Sequence, residues 1–220
     1  MNDETRHEPW DLINGPVADE IEDLNRASLM TVTAALVKSL LARGDGRPAV
    51  PDEAALRLLH CTATRFLLAR PGRYRDVEMH VEDAGAVVFR AQACRDVKRL
   101  MADFFRDLAA RWNTGDALDV ASFALWRVTW IHPFSDGNGR TAIAFAYACL
   151  CLKLGAWLPG DPTVVDLIAA DPARCQNVLR MTDRALANSA AEPELGAVKA
   201  YLDELLLRQM QTAGAKACRS

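Results

Sequence analysis

No stretch of this 220-residue chain approaches 18 consecutive apolar residues, so none is long enough to span a bilayer as a helix. No Cys-x-x-Cys pair occurs. The six cysteines are scattered, mostly in apolar helical contexts, and read as reduced thiols of a cytoplasmic protein. Cys149 and Cys151 are two apart and fall on different faces of a helix, a poor metal site. Neither charge is in large excess. A net charge of −3 and a pI near 5.8 argue against nucleic acid and against an acidic membrane surface as partners. Repeats, low-complexity tracts and an internal linker are all missing. The first residues, Met1 to Trp10, are polar and acidic and do not form a signal peptide, although secretion as an effector without one stays open. What the chain does have is apolar content. Half of it is hydrophobic, enough for one domain with a substantial core over residues 1–220.

Helical periodicity dominates. A polar lead-in, residues 1–16, ends in the turn signal Asn14-Gly15-Pro16 and is expected to be flexible. A helix follows from Val17 to Leu41, with Ile21, Leu24, Ala27 and Leu29 opening its apolar face, and Gly44 to Pro48 stops it. A second helix starts at Pro51-Asp52-Glu53 and runs to Leu68. His60 lies on it with no partner acid nearby in sequence and reads as a packed or solvated residue without a catalytic role. Val77, Met79 and Val81 then alternate with Glu78 and His80, and Ala86 to Phe89 can return after a turn at Asp83-Ala84-Gly85. This is a short β-hairpin in a helical chain, whose free edge can bind an extended segment by strand addition. Further helices fit Ala91–Trp112, Leu118–Trp130, Thr141–Leu154, Pro172–Ala187 and Glu194–Met210. Trp126 and Trp130 read as core stripe or pocket wall, and the tail 211–220 is expected to fray. The fold class is all-α.

The chemistry concentrates in one loop, Ile131-His132-Pro133-Phe134-Ser135-Asp136-Gly137-Asn138-Gly139-Arg140, between two apolar helices. A helix start at Asp136-Gly137-Asn138-Gly139 points free N–H groups and the positive end of a helix dipole outward, which makes an anion site. Arg140 adds a planar cation that can grip phosphate oxygens. A carboxylate at Asp136 would repel phosphate unless a hard cation lies between them, so it suggests Mg²⁺. His132 precedes Pro133, which biases it to an extended backbone just outside the helix, and a neutral imidazole there suits a general base. Phe134 reads as a core plug and Pro133 as a spacer. Asp-Gly alone is a common turn; the combination is what carries weight.

The pattern His-Pro-Phe-x-Asp-Gly-Asn-Gly-Arg resembles the signature of the Fic (Fic/Doc) family. Eight specified positions at about 5% usage each match by chance in such a chain with a probability on the order of 10⁻⁸. The resemblance covers residues 70–157, because Pro71-Gly72-Arg73-Tyr74-Arg75 is also similar to the family segment that precedes a hairpin flap over the active site. It implies an α-helical bundle with that flap and transfer of AMP from ATP, with Mg²⁺, to a Ser, Thr or Tyr hydroxyl of a target protein. On it His132 is the base, Asp136 holds Mg²⁺, and Gly137, Asn138, Gly139 and Arg140 hold the nucleotide phosphates. Val77, Met79, Val87 and Val88 of the hairpin dock the target.

One departure bears on the donor. The family pattern continues to a second arginine that contacts the terminal phosphate, and here that position is Ile143. UTP, GTP, a nucleoside diphosphate or CDP-choline are therefore rival donors, while the Gly-Asn-Gly triplet resembles the nucleotide-transferring branch. A different class of reading is a non-enzymatic nucleotide-binding or docking module, which has no need of a base. Many relatives are self-inhibited by a Ser/Thr-x-x-x-Glu-Gly/Asn helix that pairs with the second arginine. No Ser or Thr here has Glu four residues on, so self-inhibition through that contact is not expected. A separate inhibitory protein would need a different grip.

Overall fold

Residues 12–13, 15–43, 50–83, 86–187 and 193–217 are described by the structure, a computed structural model. Among them are eight α-helices and one two-stranded antiparallel sheet. The organising helix is the apolar run after the glycine-rich loop. It spans Asn138–Leu154, here α5, and buries every residue from Ala144 to Leu152. A helix apolar on all sides must be surrounded. Its jacket is α1 (Pro16–Leu41) and α2 (Glu53–Ala63) on one side, α4 (Ala117–Ile131) along its length, and α6 (Val164–Ala170). Outside these, α3 (Val97–Thr114) packs on α4, while α7 (Pro172–Ala187) and α8 (Gly196–Ala217) close the C-terminal side.

Local chemistry explains most boundaries. Asp52 accepts the Ala55 N–H at 3.0 Å to start α2. Asp116 and Asp119 form a reciprocal capping box at α4, and Lys199 of α8 lies 2.7 Å from both carboxylates. Several expected ends shift for tertiary reasons. Helix α2 stops at Ala63 rather than Leu68, because the Asn25 side chain on α1 donates to the Arg65 carbonyl at 2.8 Å and Phe66 turns left-handed at φ 64°. The buried stripe of α1 is Asn25, Leu29, Thr33, Val37 and Leu40, so Leu24 and Ala27 face solvent instead. Helix α3 begins at Val97 after a 3₁₀ turn, Cys94–Asp96, rather than at Ala91. The residues before it are spent elsewhere: Ala91 donates to the Met79 carbonyl at 3.1 Å and Cys94 to Glu78 at 3.1 Å. Helix α8 continues to Ala217, past the expected stop at Met210. Buried Gln209 ties it down, donating to the Tyr147 hydroxyl at 2.8 Å and the Pro159 carbonyl at 2.9 Å. Helix α6 was not expected; its seven residues sit between two prolines, announced only by the Thr163–Asp166 capping box. The expected turns at Asn14, at 44–48 and at 84–85, and the ends 1–11 and 218–220, lie outside the described residues.

His60, on α2, supports the loop from beneath and is fully buried. Its Nδ1 accepts the Gly72 N–H at 2.7 Å, so the proton sits on Nε2, which donates to the Asp136 carbonyl at 2.9 Å. Its ring stacks on Phe134 at 3.7 Å between centroids, and Phe134 also meets Tyr74. Burial lowers its pKa to about 4. The unfolded chain therefore takes up this proton first on acidification. The stabilisation is complete above about pH 6.5 and is lost as pH falls toward 4. Urea unfolding should lose on the order of 2–3 kcal/mol between about pH 7.5 and 4.5 on account of His60. A His60→Asn variant should be weaker at neutral pH and lack that part of the slope; an unchanged pH dependence in the variant contradicts the assignment.

Candidate active site

Helix α4 delivers His132 as its C-cap. The residue is left-handed, with φ 54° and ψ 61°, and its N–H still donates to the Val128 carbonyl at 3.0 Å. The extended backbone expected before Pro133 is thus not adopted. Arg75 explains the difference by capping the end of α4. Its Nε donates to the His132 carbonyl at 2.6 Å, its Nη2 to the Ile131 carbonyl at 3.4 Å, and its backbone N–H to the Pro133 carbonyl at 2.9 Å. A cation on the last carbonyls suits the negative end of the helix dipole and holds a conformation that a non-glycine residue rarely keeps. The His132 ring is half-buried beside Phe89, and its Nδ1 is turned into the protein. Burial drives its pKa down to about 4; the Thr129 carbonyl and Asp136 oppose this while Arg75 adds to it. The imidazole is therefore neutral at physiological pH, as a base must be.

The next residues divide between holding the loop and facing out of it. Phe134 is fully buried. The buried Asn138 side chain accepts the Phe134 N–H and donates to the Phe134 carbonyl, both at 2.8 Å, so its amide clips the loop and is spent on structure. Gly137 sits at φ 70°, and a Cβ there would meet Thr64 Cγ2 at 2.5 Å, so only glycine fits. Gly139 is different. It is helical and exposed, and a Cβ on it would meet nothing within 4 Å. Packing does not ask for glycine at 139, and the open space above it leaves room for a ligand. The N–H groups of Asn138, Gly139 and Arg140 open α5 and have no acceptor within the helix. Such a set of free N–H groups can hold an anion.

Two carboxylates flank Arg140. Its Nη2 donates to Asp136 Oδ2 at 3.0 Å, and its Nη1 lies 2.6 Å from Oε1 of Glu22 on α1. The latter contact lacks hydrogen-bond alignment, so charge alone makes it. The Asp136 side chain is 54% exposed, while its carbonyl is fixed by His60. Among the described residues no cluster of three or more His, Cys, Asp or Glu could hold a metal by itself. One outward carboxylate beside a phosphate cradle fits Mg²⁺ shared with substrate phosphates.

The hairpin, β1 (His80–Asp83) and β2 (Ala86–Arg90), is antiparallel with a register shift between Val81 and Glu82. Arg75 reaches its root on both sides, donating to the Val77 carbonyl at 2.8 Å and to that of Gln92. Of the four expected docking residues, Val77 and Met79 are half-buried in the run-in before β1. Val87 and Val88 lie in β2, with side chains outside the described residues. Ile143 is half-buried against the core near Leu125, Val164 and Leu202, so an apolar contact stands where a second cation was looked for. Sequence reading gave no separate role to Arg75 or Glu22, and it read His60 as packed or solvated, of which packed holds, without its partners. Arg75 was visible only as part of Pro-Gly-x-Tyr-Arg. His60 showed no nearby partner because its partners are 12 and 76 residues away. Glu22 matches no inhibitory pattern, yet a carboxylate reaches the loop from α1 by this other route.

Residues 51–150 match the model of the Fic/DOC family. Among curated proteins, none matches the chain. Among solved structures it is similar to a Fic family protein of Desulfovibrio desulfuricans G20, with 22% identity and a TM-score of 0.64 over 91% of this chain and 55% of that one. It is also similar to Fic-1 of C. elegans, with 17% identity and a TM-score of 0.67 over 94% of this chain and 56% of that one. The N-terminal Fic domain of an effector from Bartonella sp. AR 15-3 matches at 14% identity with a TM-score of 0.58, over 90% of this chain and 89% of that one. These likenesses show the helical fold. The chain spans a little over half the length of the first two structures. No helix among its described residues is long and apolar enough to cross a membrane.

Glu22 pairs with Arg140, the cation beside the N-terminus of α5, and would repel an anion brought to it. Replacing it with glutamine should tighten the binding of a nucleotide by about 2- to 5-fold, the range expected when one partly exposed ion pair is removed. Titration of Glu22→Gln beside the unaltered protein checks this, and equal affinities refute a competing role for the pair.

Proposed function

We propose, from the premise that the chain carries a Fic/DOC-family domain at residues 51–150, that it transfers AMP from ATP to a Ser, Thr or Tyr hydroxyl of a target protein. The observation that carries this reading is the pairing of a neutral His132 with the open N-terminus of α5 in one short loop, where Gly139 leaves space that packing does not fill.

The target hydroxyl approaches beside the hairpin, and His132 takes its proton. The freed oxygen attacks the α-phosphorus while pyrophosphate leaves in line. Charge that builds on the phosphoryl oxygens is met by the N–H groups of Asn138, Gly139 and Arg140 and by the Arg140 guanidinium once a phosphate displaces Glu22. Mg²⁺ held by Asp136 and the phosphates would supply charge neutralisation. A bound polyanion also raises the pKa of His132 from about 4 toward the range where a base works best. Asn138 acts through the loop rather than by its side chain, whose amide is already paired with Phe134.

Ile143 favours a second reading of the donor. Its apolar contacts leave the terminal phosphate of a triphosphate without a cation at that position, which suits a nucleoside diphosphate or CDP-choline as much as ATP, UTP or GTP. A docking module without catalysis is the weaker alternative, since nothing in such a role needs a neutral imidazole beside the N-terminus of α5.

Intact-mass spectrometry with Mg²⁺ and each donor in turn, on the purified protein and then in cell lysate, tests the proposal. ATP should add AMP to the protein itself or to a lysate protein. His132→Ala should slow that addition by about 10²–10⁴-fold. A different added group moves the donor and keeps the chemistry. Full activity in His132→Ala refutes the base assignment.

A further inference from the structure

A cavity of about 280 Å³ opens between the segment Ala69–Val77 and the loop residue Ser135. None of His132, Asp136 or Gly137–Arg140 lines it, so it adjoins the reaction centre on the hairpin side and stands apart from the anion site. Its walls are basic. The Arg70 and Arg73 side chains are 61% and 62% exposed and share a single carboxylate, Asp76, at the loose distances of 3.8 and 4.0 Å. The buried Arg75 guanidinium also borders the cavity; its bonds go to carbonyls, and Glu78 is near enough to favour its charge. Arg70 and Arg73 thus share one acid at the cavity, in a protein whose net charge is −3. The excess is local and opposite in sign to the chain as a whole. Across the cavity, Ser135 is half-buried and adds a hydroxyl donor.

We infer that this cavity is a subsite for an acidic side chain of the target, Asp or Glu, flanking the hydroxyl that receives the nucleotide. This rests on the transferase reading and deepens it. The hairpin root, Val77, is a wall of the cavity, and Arg75 fixes that root to the His132 carbonyl. A target strand laid along the hairpin therefore brings its neighbouring residue to the cavity while its hydroxyl meets His132. A guanidinium pair with one loosely held counter-ion gains by taking a second carboxylate, and it rejects a lysine.

Labelled peptides with one serine flanked by glutamates, by glutamines or by lysines provide the probe. Fluorescence anisotropy on the full chain carrying His132→Ala reads binding without turnover. The glutamate peptide should bind about 3- to 10-fold tighter than the lysine peptide, as two exposed ion pairs allow, and the preference should fade as salt is raised. Arg70→Glu with Arg73→Glu, both at exposed positions, should reverse the preference and leave ATP affinity unchanged. Absence of binding by the glutamate peptide, charge-blind binding, or a double variant that weakens ATP instead of the peptide overturns the subsite. A parallel transfer assay with His132 intact separates the two readings. Charge-selective binding without modification by any donor removes the transferase and keeps the subsite; modification without charge preference does the opposite.

Discussion

Arg75 is a buried cation whose hydrogen bonds, among the described residues, go to backbone carbonyls, and the geometry of the site depends on it. Its side chain is bonded to the carbonyls of Ile131, His132, Val77 and Gln92, and its backbone N–H to that of Pro133. Burial disfavours its charge and lowers its pKa. The carbonyls that stabilise it are the ones a helix end leaves unsatisfied, together with those at the two feet of a short hairpin. One guanidinium therefore joins three things that sequence separates: the end of α4, the residue that presents the imidazole, and the flap. An isolated two-stranded hairpin is marginal in water, so this one needs such an anchor. Removing it would leave several buried carbonyls without donors, at about 1–3 kcal/mol each where water cannot reach.

A second support, His60, holds the other half of the loop. The loop residues then sort by direction. Phe134, Gly137 and the Asn138 amide are turned inward and fix its shape, each by a contact that admits little else. On the proposed reading, His132, Asp136, Gly139 and Arg140 are left to face the nucleotide and the target. Outward-facing groups on an inward-locked frame are what preorganisation requires, since a loop that reorganised during reaction would lose the electrostatic advantage. On the same reading Glu22 adds a cost to binding, because a phosphate would have to displace its carboxylate from Arg140.

Much of this was legible in the sequence, and the failures share a cause. The helices from Pro16, Ala117, Asn138 and Pro172 begin within a few residues of their expected starts, because periodicity and start signals are local. The loop was legible because its chemistry is contiguous: base, acid, glycines and cation lie within ten residues. The left-handed His132 was not, since the rule for a residue before proline was overridden by a guanidinium 57 residues away. Asn25 and Gln209 ended or extended helices against expectation for the same reason, as buried polar residues whose partners lie 40 and 62 residues off. Glycine at 137 and glycine at 139 look alike in sequence. Only the surroundings separate the one that packing demands from the one that packing leaves free.

Hydrogen exchange on Arg75→Lys tests this account most directly. Lysine keeps the positive charge but cannot reach four carbonyls at once. If Arg75 is the joint, protection should fall together in Val77–Met79, in Ala91–Cys94 and in Ile131–Ser135, while the interior of α5 keeps the protection of the unaltered protein. Loss confined to the neighbourhood of residue 75, with the end of α4 unchanged, would contradict it.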